Sequence, residues 1–245
     1  MRNMGQSLCC NNYICTKSAN VDNNTNVQIS YTYDLNDLPH KCSEILKDHA
    51  SMDVNTYCKD KLYDMLHKGI VFSDGKTKYW VDKETGKNCF MVFAKNLTIL
   101  DQMDHRKWTW QISKESYRDM SAEMAVMGKV KTLSVHGSFN TEFLSPDTKY
   151  KVEFVLRLKK GKHVTGWSKN PVRSVLIPPE KTWNEAIQNK VNLAEKGSQK
   201  SFEILAGEFF NPQFNSHGEI QFYLDEGKEW KTGLVIKGVK ITPLI

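Results

Sequence analysis

No apolar run in this 245-residue chain approaches the length that crossing a bilayer requires, so stable membrane insertion is not expected. The first residues lack the basic-then-apolar profile of a secretory signal, and the expected compartment is the cytosol or the nucleus. Catalytic signatures are missing as well. There is no Gly-x-Ser-x-Gly elbow, no phosphate-binding glycine loop, and no Ser/His/Asp signature around the seven histidines. The six cysteines are Cys9, Cys10, Cys15, Cys42, Cys58 and Cys89; they form no Cys-x-x-Cys pair and no His-x-x-x-His accompanies them, which argues against the common zinc spacings. No enzymatic activity and no cofactor are therefore expected. Excess charge is modest too, at +6 net. Lys159-Lys160-Gly161-Lys162 is the only dense basic run, and it reads as a solvated loop in preference to a nucleic-acid patch.

What is present describes a globular chain with a distinct beginning. Hydrophobic residues make up 40% and charged ones 25%, the balance of an ordinary soluble domain with one core. Residues 1–36 are rich in Asn, Ser and Thr and show no hydrophobic period, so they are expected to be a disordered tail. Cys9, Cys10 and Cys15 lie in it as exposed thiols suited to intermolecular pairing.

A small helical segment is expected over 38–82. One helix is predicted across 41–48. A second has Asn55 as its cap, Cys58, Leu62, Met65 and Leu66 on one face, and Gly69 at its end. A sandwich domain is expected over 86–245, and from Asn88 onward the period becomes two. Tyr150, Val152, Phe154, Leu156 and Leu158 alternate with polar neighbours, as do Leu133, Val135, Gly137 and Phe139, and Ile220, Phe222 and Leu224. Leu234 and Ile236 are out of phase with Val239 and Ile241, which predicts a bulge at Lys237-Gly238. Residues 182–195 read as a long surface loop with one helical turn. The fold class expected is all-β: an antiparallel, jelly-roll-like β-sandwich with a small N-terminal helical segment and a disordered tail.

Two Trp-containing stretches are the most specific motifs. The first is Asn88-Cys-Phe-Met-Val-Phe-Ala-Lys-Asn-Leu-Thr-Ile-Leu100, followed by Trp108-Thr109-Trp110. The second is Gly207-Glu-Phe-Phe210, followed by Glu229-Trp-Lys-Thr-Gly-Leu-Val-Ile-Lys-Gly238. In order and spacing they resemble the phloem protein 2, or Nictaba-like, lectins of plants, over roughly residues 41–245. The resemblance implies a domain that binds N-acetylglucosamine oligomers or N-glycan cores without chemical change. A pyranose has apolar C–H faces and a rim of hydroxyls, so such a site pairs an aromatic plane with carboxylates or amides.

By the resemblance, Trp108 matches a ligand-associated Trp, while Asp101 stands where the family carries another. Glu219 and Glu226 match its two C-terminal carboxylates. Trp110, Glu208 and Trp230 read as positions that keep the fold, Trp230 packing a sheet end and Glu208 tying down backbone. Asp101→Trp is expected to strengthen sugar binding.

The resemblance also implies residence in sieve elements and phloem sap, a tendency to dimerise, and disulfide cross-linking to phloem filament protein on wounding. Cys9, Cys10 and Cys15 are the thiols available for that. The alternative reading is a structural or RNA-binding sap protein whose sugar site is lost, with Lys159, Lys160 and Lys162 as the RNA contacts.

Overall fold

The computed structural model describes residues 16–21, 27–33, 37–117, 120–161, 164–197, 200–213 and 218–244. In chain order the elements are β1 (Thr16–Val21), β2 (Val27–Thr32), α1 (Cys42–Ala50), α2 (Lys59–Lys68), β3 (Ile70–Val71), β4 (Thr77–Val81), β5 (Asn88–Phe93) and β6 (Thr98–Ile99). There follow β7 (Trp108–Tyr117), β8 (Met120–Met127), β9 (Lys129–Val130), β10 (Leu133–Asn140), β11 (Thr148–Leu158) and β12 (Val172–Ile177). The last are β13 (Ile187–Val191), β14 (Phe202–Asn211), β15 (Glu219–Glu226), β16 (Lys231–Thr232) and β17 (Leu234–Pro243).

The architecture is an antiparallel all-β sandwich, as the alternation predicts. A five-stranded sheet runs β13-β12-β15-β10-β6, and a larger one runs β14-β11-β17-β5-β4-β3, with β8 and β7 added beside β17. In β11 the even-numbered residues from Tyr150 to Leu158 are buried, while their odd-numbered neighbours lie part-exposed on the outer face. On β15 the same alternation buries Ile220, Phe222 and Leu224. Phe154 meets Phe222 edge-on across the layer, at 6.1 Å between ring centroids. Burial of these alternating faces supplies the main driving force.

The expected bulge is present. Val155 pairs with Gly238 and Leu156 with Ile236, which leaves Lys237 as the extra residue.

The helices lie close to where their periodicity puts them, and Gly69, at φ 88°, ends α2 with its N–H on the Met65 carbonyl. Asn55 is not the cap of α2. It sits in a short 3-10 turn, where its N–H donates to Asp53 Oδ1 at 2.9 Å, and Cys58 precedes the helix without a side-chain cap. Segment 38–82 shares the sandwich core: Ile45, Leu46, Leu62 and Leu66 pack into one cluster with Phe90 and Tyr150. Buried Asn88 fastens the two together. Its Nδ2 donates to the carbonyls of His40 at 2.7 Å and Phe143 at 2.9 Å, while its Oδ1 accepts from Tyr79 at 3.0 Å. Each of those groups would otherwise be an unpaired buried polar atom.

Two further expectations differ from the structure. Within the stretch expected to be disordered, β1 and β2 pair as an antiparallel hairpin, from Thr16 opposite Thr32 to Val21 opposite Val27. The span 182–195, expected to be a loop, contains β13, which pairs with β12 at the edge of the smaller sheet. An edge strand covered on one side needs few apolar residues, and Ile187 and Val191 suffice.

Candidate carbohydrate-binding face

The four residues matched to a sugar site do not converge. Trp108 opens β7 and is 1% exposed; its Nε1 donates to the Leu100 carbonyl at 3.0 Å. The indole is buried and its polar atom is used, so it offers no plane to a ligand. This corrects its assignment as a stacking residue. Trp110 is half-buried against the core, with Lys95 Nζ 4.7 Å from its ring centroid.

Asp101 is exposed, in the left-handed region at φ 60°, and its carboxylate holds Lys107 Nζ at 2.5 Å. Glu226 is a second correction. Its side chain is 3% exposed and paired with the fully buried ammonium of Lys231. A carboxylate enclosed in that way cannot reach a solvent-borne hydroxyl.

Glu219 is exposed but remote. Glu226 pairs with Leu133 at one end of β10, whereas Glu219 pairs with Asn140 at the other. Leu100 donates to the Ser134 carbonyl, so the Asp101 loop lies at the Leu133 end. At ~3.4 Å per residue the length of β10 separates the two ends by about 24 Å.

Of the three residues read as fold-keeping, Trp230 and Glu208 are placed differently. Trp230 is 55% exposed, with Lys129 Nζ 5.4 Å from its ring centroid. Glu208 pairs with the Lys149 side chain at 2.7 Å and not with backbone. Cys9, Cys10, Cys15, Lys162 and the residues before position 16 lie outside the described residues.

A different constellation stands on the outer face of the smaller sheet. Antiparallel register puts three rows side by side on this face: Arg173–Asp225–Ser134, Val175–Tyr223–His136, and Ile177–Gln221–Ser138, of which Val175 and Ile177 are buried. Arg173 grips Asp225 through Nε at 3.0 Å and Nη2 at 2.8 Å, a two-point contact that fixes both planes. Its guanidinium is held even more firmly charged by that carboxylate. The Tyr223 hydroxyl donates to Gln221 Oε1 at 2.7 Å, and the His136 ring stacks on Tyr223 at 5.7 Å.

Trp183 comes in from the β12–β13 connection. It stands edge-on to Tyr223 at 4.9 Å, with Arg173 Cζ 5.7 Å from its own ring centroid, and it is 43% exposed. A capping box aims it: Thr182 and Glu185 bond reciprocally around the turn, and Lys181 holds Glu185 at 2.7 Å. The signal in sequence is Thr182-Trp-Asn-Glu185, a capping-box pattern with an aromatic inside it.

The face thus combines an accessible aromatic plane with a guanidinium, a carboxylate, an amide and hydroxyls on rigid strands. That is the chemistry a pyranose requires. Among the described residues no cluster of His, Cys, Asp or Glu could hold a metal ion.

Comparison with known proteins identifies the family. The Phloem protein 2 family model matches residues 87–243. The chain is 36% identical over 208 residues to protein PHLOEM PROTEIN 2-LIKE A1 of Arabidopsis thaliana, covering 84% of this chain and 81% of the relative. It is 32% identical over 207 residues to a protein of Luffa acutangula named Lectin, covering 83% and 94%. The F-box protein PP2-B10 of Arabidopsis thaliana is 28% identical over 203 residues, covering 76% and 71%. With the family match over more than half of the chain, and relatives of 36% and 32% identity spanned over 81% and 94% of their length, this chain belongs to the phloem protein 2 family.

Proposed function

We propose that this chain is a phloem lectin that binds N-acetylglucosamine oligomers or N-glycan cores on the outer face of the five-stranded sheet, around Trp183. The observation that carries the reading is the constellation of exposed Trp183, in the β12–β13 connection, with part-exposed Tyr223, Arg173 and Asp225 on strands whose register holds them. Kinship with a Luffa protein named Lectin supports the ligand class. The Trp183 ring covers the apolar face of one sugar. Arg173, Asp225 and Gln221 meet rim hydroxyls and the acetamido group, and Ser138 extends the row for a second residue of the oligomer. Binding proceeds without bond making or breaking. In this reading the thiols of Cys9, Cys10 and Cys15 serve separately, in cross-linking to filament protein in wounded sap.

The test is calorimetric titration with chitin oligomers. Trp183→Ala removes the plane and is expected to weaken binding by about tenfold, the ~1–1.5 kcal/mol of one aromatic contact. Trp230→Ala, an exposed indole elsewhere, leaves affinity unchanged. Asp101→Trp likewise brings no gain, because residue 101 follows β6, at the edge of the sheet opposite the β12–β13 connection that carries Trp183. Equal affinity of Trp183→Ala and the parent protein, or a gain from Asp101→Trp, would overturn the placement.

A further inference from the structure

The outer face of the larger sheet carries a second site of opposite character. Between α2 and strands β4, β5 and β17 lies a cleft of about 350 Å³. Its floor is apolar, formed by Trp80, Met91, Phe93 and Val155. Its rim is cationic: Lys68, Lys78, Lys237 and Lys240. Among the described residues Glu203 is the only carboxylate in the lining. It engages Lys240 at 3.0 Å, and Lys68 engages Asp64 at 2.6 Å, both contacts between part-exposed side chains. Such surface pairs are worth little and exchange readily for a better anion.

The register explains why the cations gather. Lys78, Met91 and Lys240 stand directly opposite one another on β4, β5 and β17. Lys237 and Lys240 are three residues apart, so on a regular strand they would point to opposite faces. The extra residue at Lys237 changes the phase, and both line the cleft. The bulge therefore concentrates charge over an apolar floor. Four lysines against one carboxylate in the lining leave the cleft net cationic, which favours an anion among them. A neutral sugar brings nothing to meet the lysines, whereas the volume lies in the range of small-molecule sites.

We propose that this cleft binds a small amphipathic anion, with its apolar body over Trp80 and Met91 and a carboxylate, sulfonate or phosphate head among Lys78, Lys237 and Lys240. The site is separate from the glycan face and stands or falls independently of it.

The experiment uses the full chain and 8-anilinonaphthalene-1-sulfonate as fluorescent probe. One-to-one binding is expected, displaced by decanoate but not by equal concentrations of 1-decanol or of chitin oligomer. Lys78→Gln combined with Lys240→Gln weakens the probe by about tenfold, in keeping with the loss of charge-assisted contacts. Trp80→Ala weakens it while unfolding temperature and chitin-oligomer affinity stay near the parent's. Rising salt weakens the parent more than the double lysine variant. Unchanged probe affinity in the folded lysine variants, or equal displacement by decanol, overturns the proposal. So does single-stranded RNA binding that the same variants abolish and decanoate cannot compete.

Discussion

Glu226 and Lys231 face one another as an ion pair with both side chains closed off from solvent, 3% and 0% exposed. The turn between them wraps the ammonium. Lys231 Nζ also donates to the Glu229 carbonyl at 2.5 Å and to the Glu226 carbonyl at 3.3 Å, and the Lys228 N–H donates to Glu226 Oε1 at 2.7 Å. Desolvating two charges is costly, and the mutual contact compensates only while both are present. Removing one partner strands the other. Glu226→Gln or Lys231→Met alone is expected to lose about 3–5 kcal/mol of stability, and Glu226→Leu with Lys231→Met to recover most of it. Urea denaturation of the three variants measures this. Additive losses in the double variant would show that the pair is not coupled.

Trp108 belongs to the same end of the sandwich and to the same structural role. Trp108→Ala opens a cavity and removes the bond to Leu100, for a loss of about 3–5 kcal/mol. Trp108→Phe keeps most of the volume and remains folded. Its affinity for chitin oligomers equals the parent's when compared by calorimetry well below the unfolding transition. A selective loss of affinity in folded Trp108→Phe would return the ring to the ligand.

The sandwich was legible in the sequence because alternation is a direct consequence of strand geometry. Tyr150 to Leu158 reads as a half-buried strand, and the phase slip after Ile236 reads as a bulge. The site was less legible. A tryptophan's burial is decided by what folds over it: the capping box around Trp183 marks a turn, yet nothing local says that Trp108 is buried and Trp183 exposed. Glu226, among Asp225, Gly227 and Lys228, looks like a loop carboxylate until the turn brings Lys231 back upon it. The distance between Glu219 and Asp101 is a matter of register across β10, which a single chain does not display. Strand β13 escaped notice because one covered face needs only two apolar residues.

The described cysteines divide by reactivity. Burial pushes the thiols of Cys42 and Cys89 up to about 12, whereas Cys58 is only half-buried. In the native protein iodoacetamide is expected to label Cys58 first, and Cys42 and Cys89 only after unfolding. The same shifts set an alkaline limit. A folded pKa above the unfolded value of ~8.5 means the native state holds its proton more tightly. That contribution is complete below ~8.5 and is lost as pH rises toward 12, at about 1.4 kcal/mol per unit for each thiol. Between pH 8.5 and 10, denaturation midpoints fall with pH, and the fall is shallower in Cys42→Ala with Cys89→Ala. Equal slopes would mean the thiols are not the groups that titrate.

Gly238 gives the strictest test of the bulge that joins the two halves of β17. Its φ is 152°, and a Cβ placed there would lie 2.0 Å from the Val92 carbonyl oxygen and 2.9 Å from Phe93 Cα. Both are backbone atoms of the neighbouring strand, so no rotamer change relieves the clash. The ladder between β5 and β17 must separate locally, exposing apolar surface on both sides. Gly238→Ala is therefore expected to lose more than about 3 kcal/mol, through strain and overpacking together. Gly227 serves as the control, because an added Cβ there meets nothing within 4 Å. Gly227→Ala should stay within about 0.5 kcal/mol of the parent. Thermal melts of the two variants decide the matter. If Gly238→Ala melts with the parent, the close approach of β5 and β17 at the bulge is wrong, and with it the phase change that puts Lys237 and Lys240 on one face.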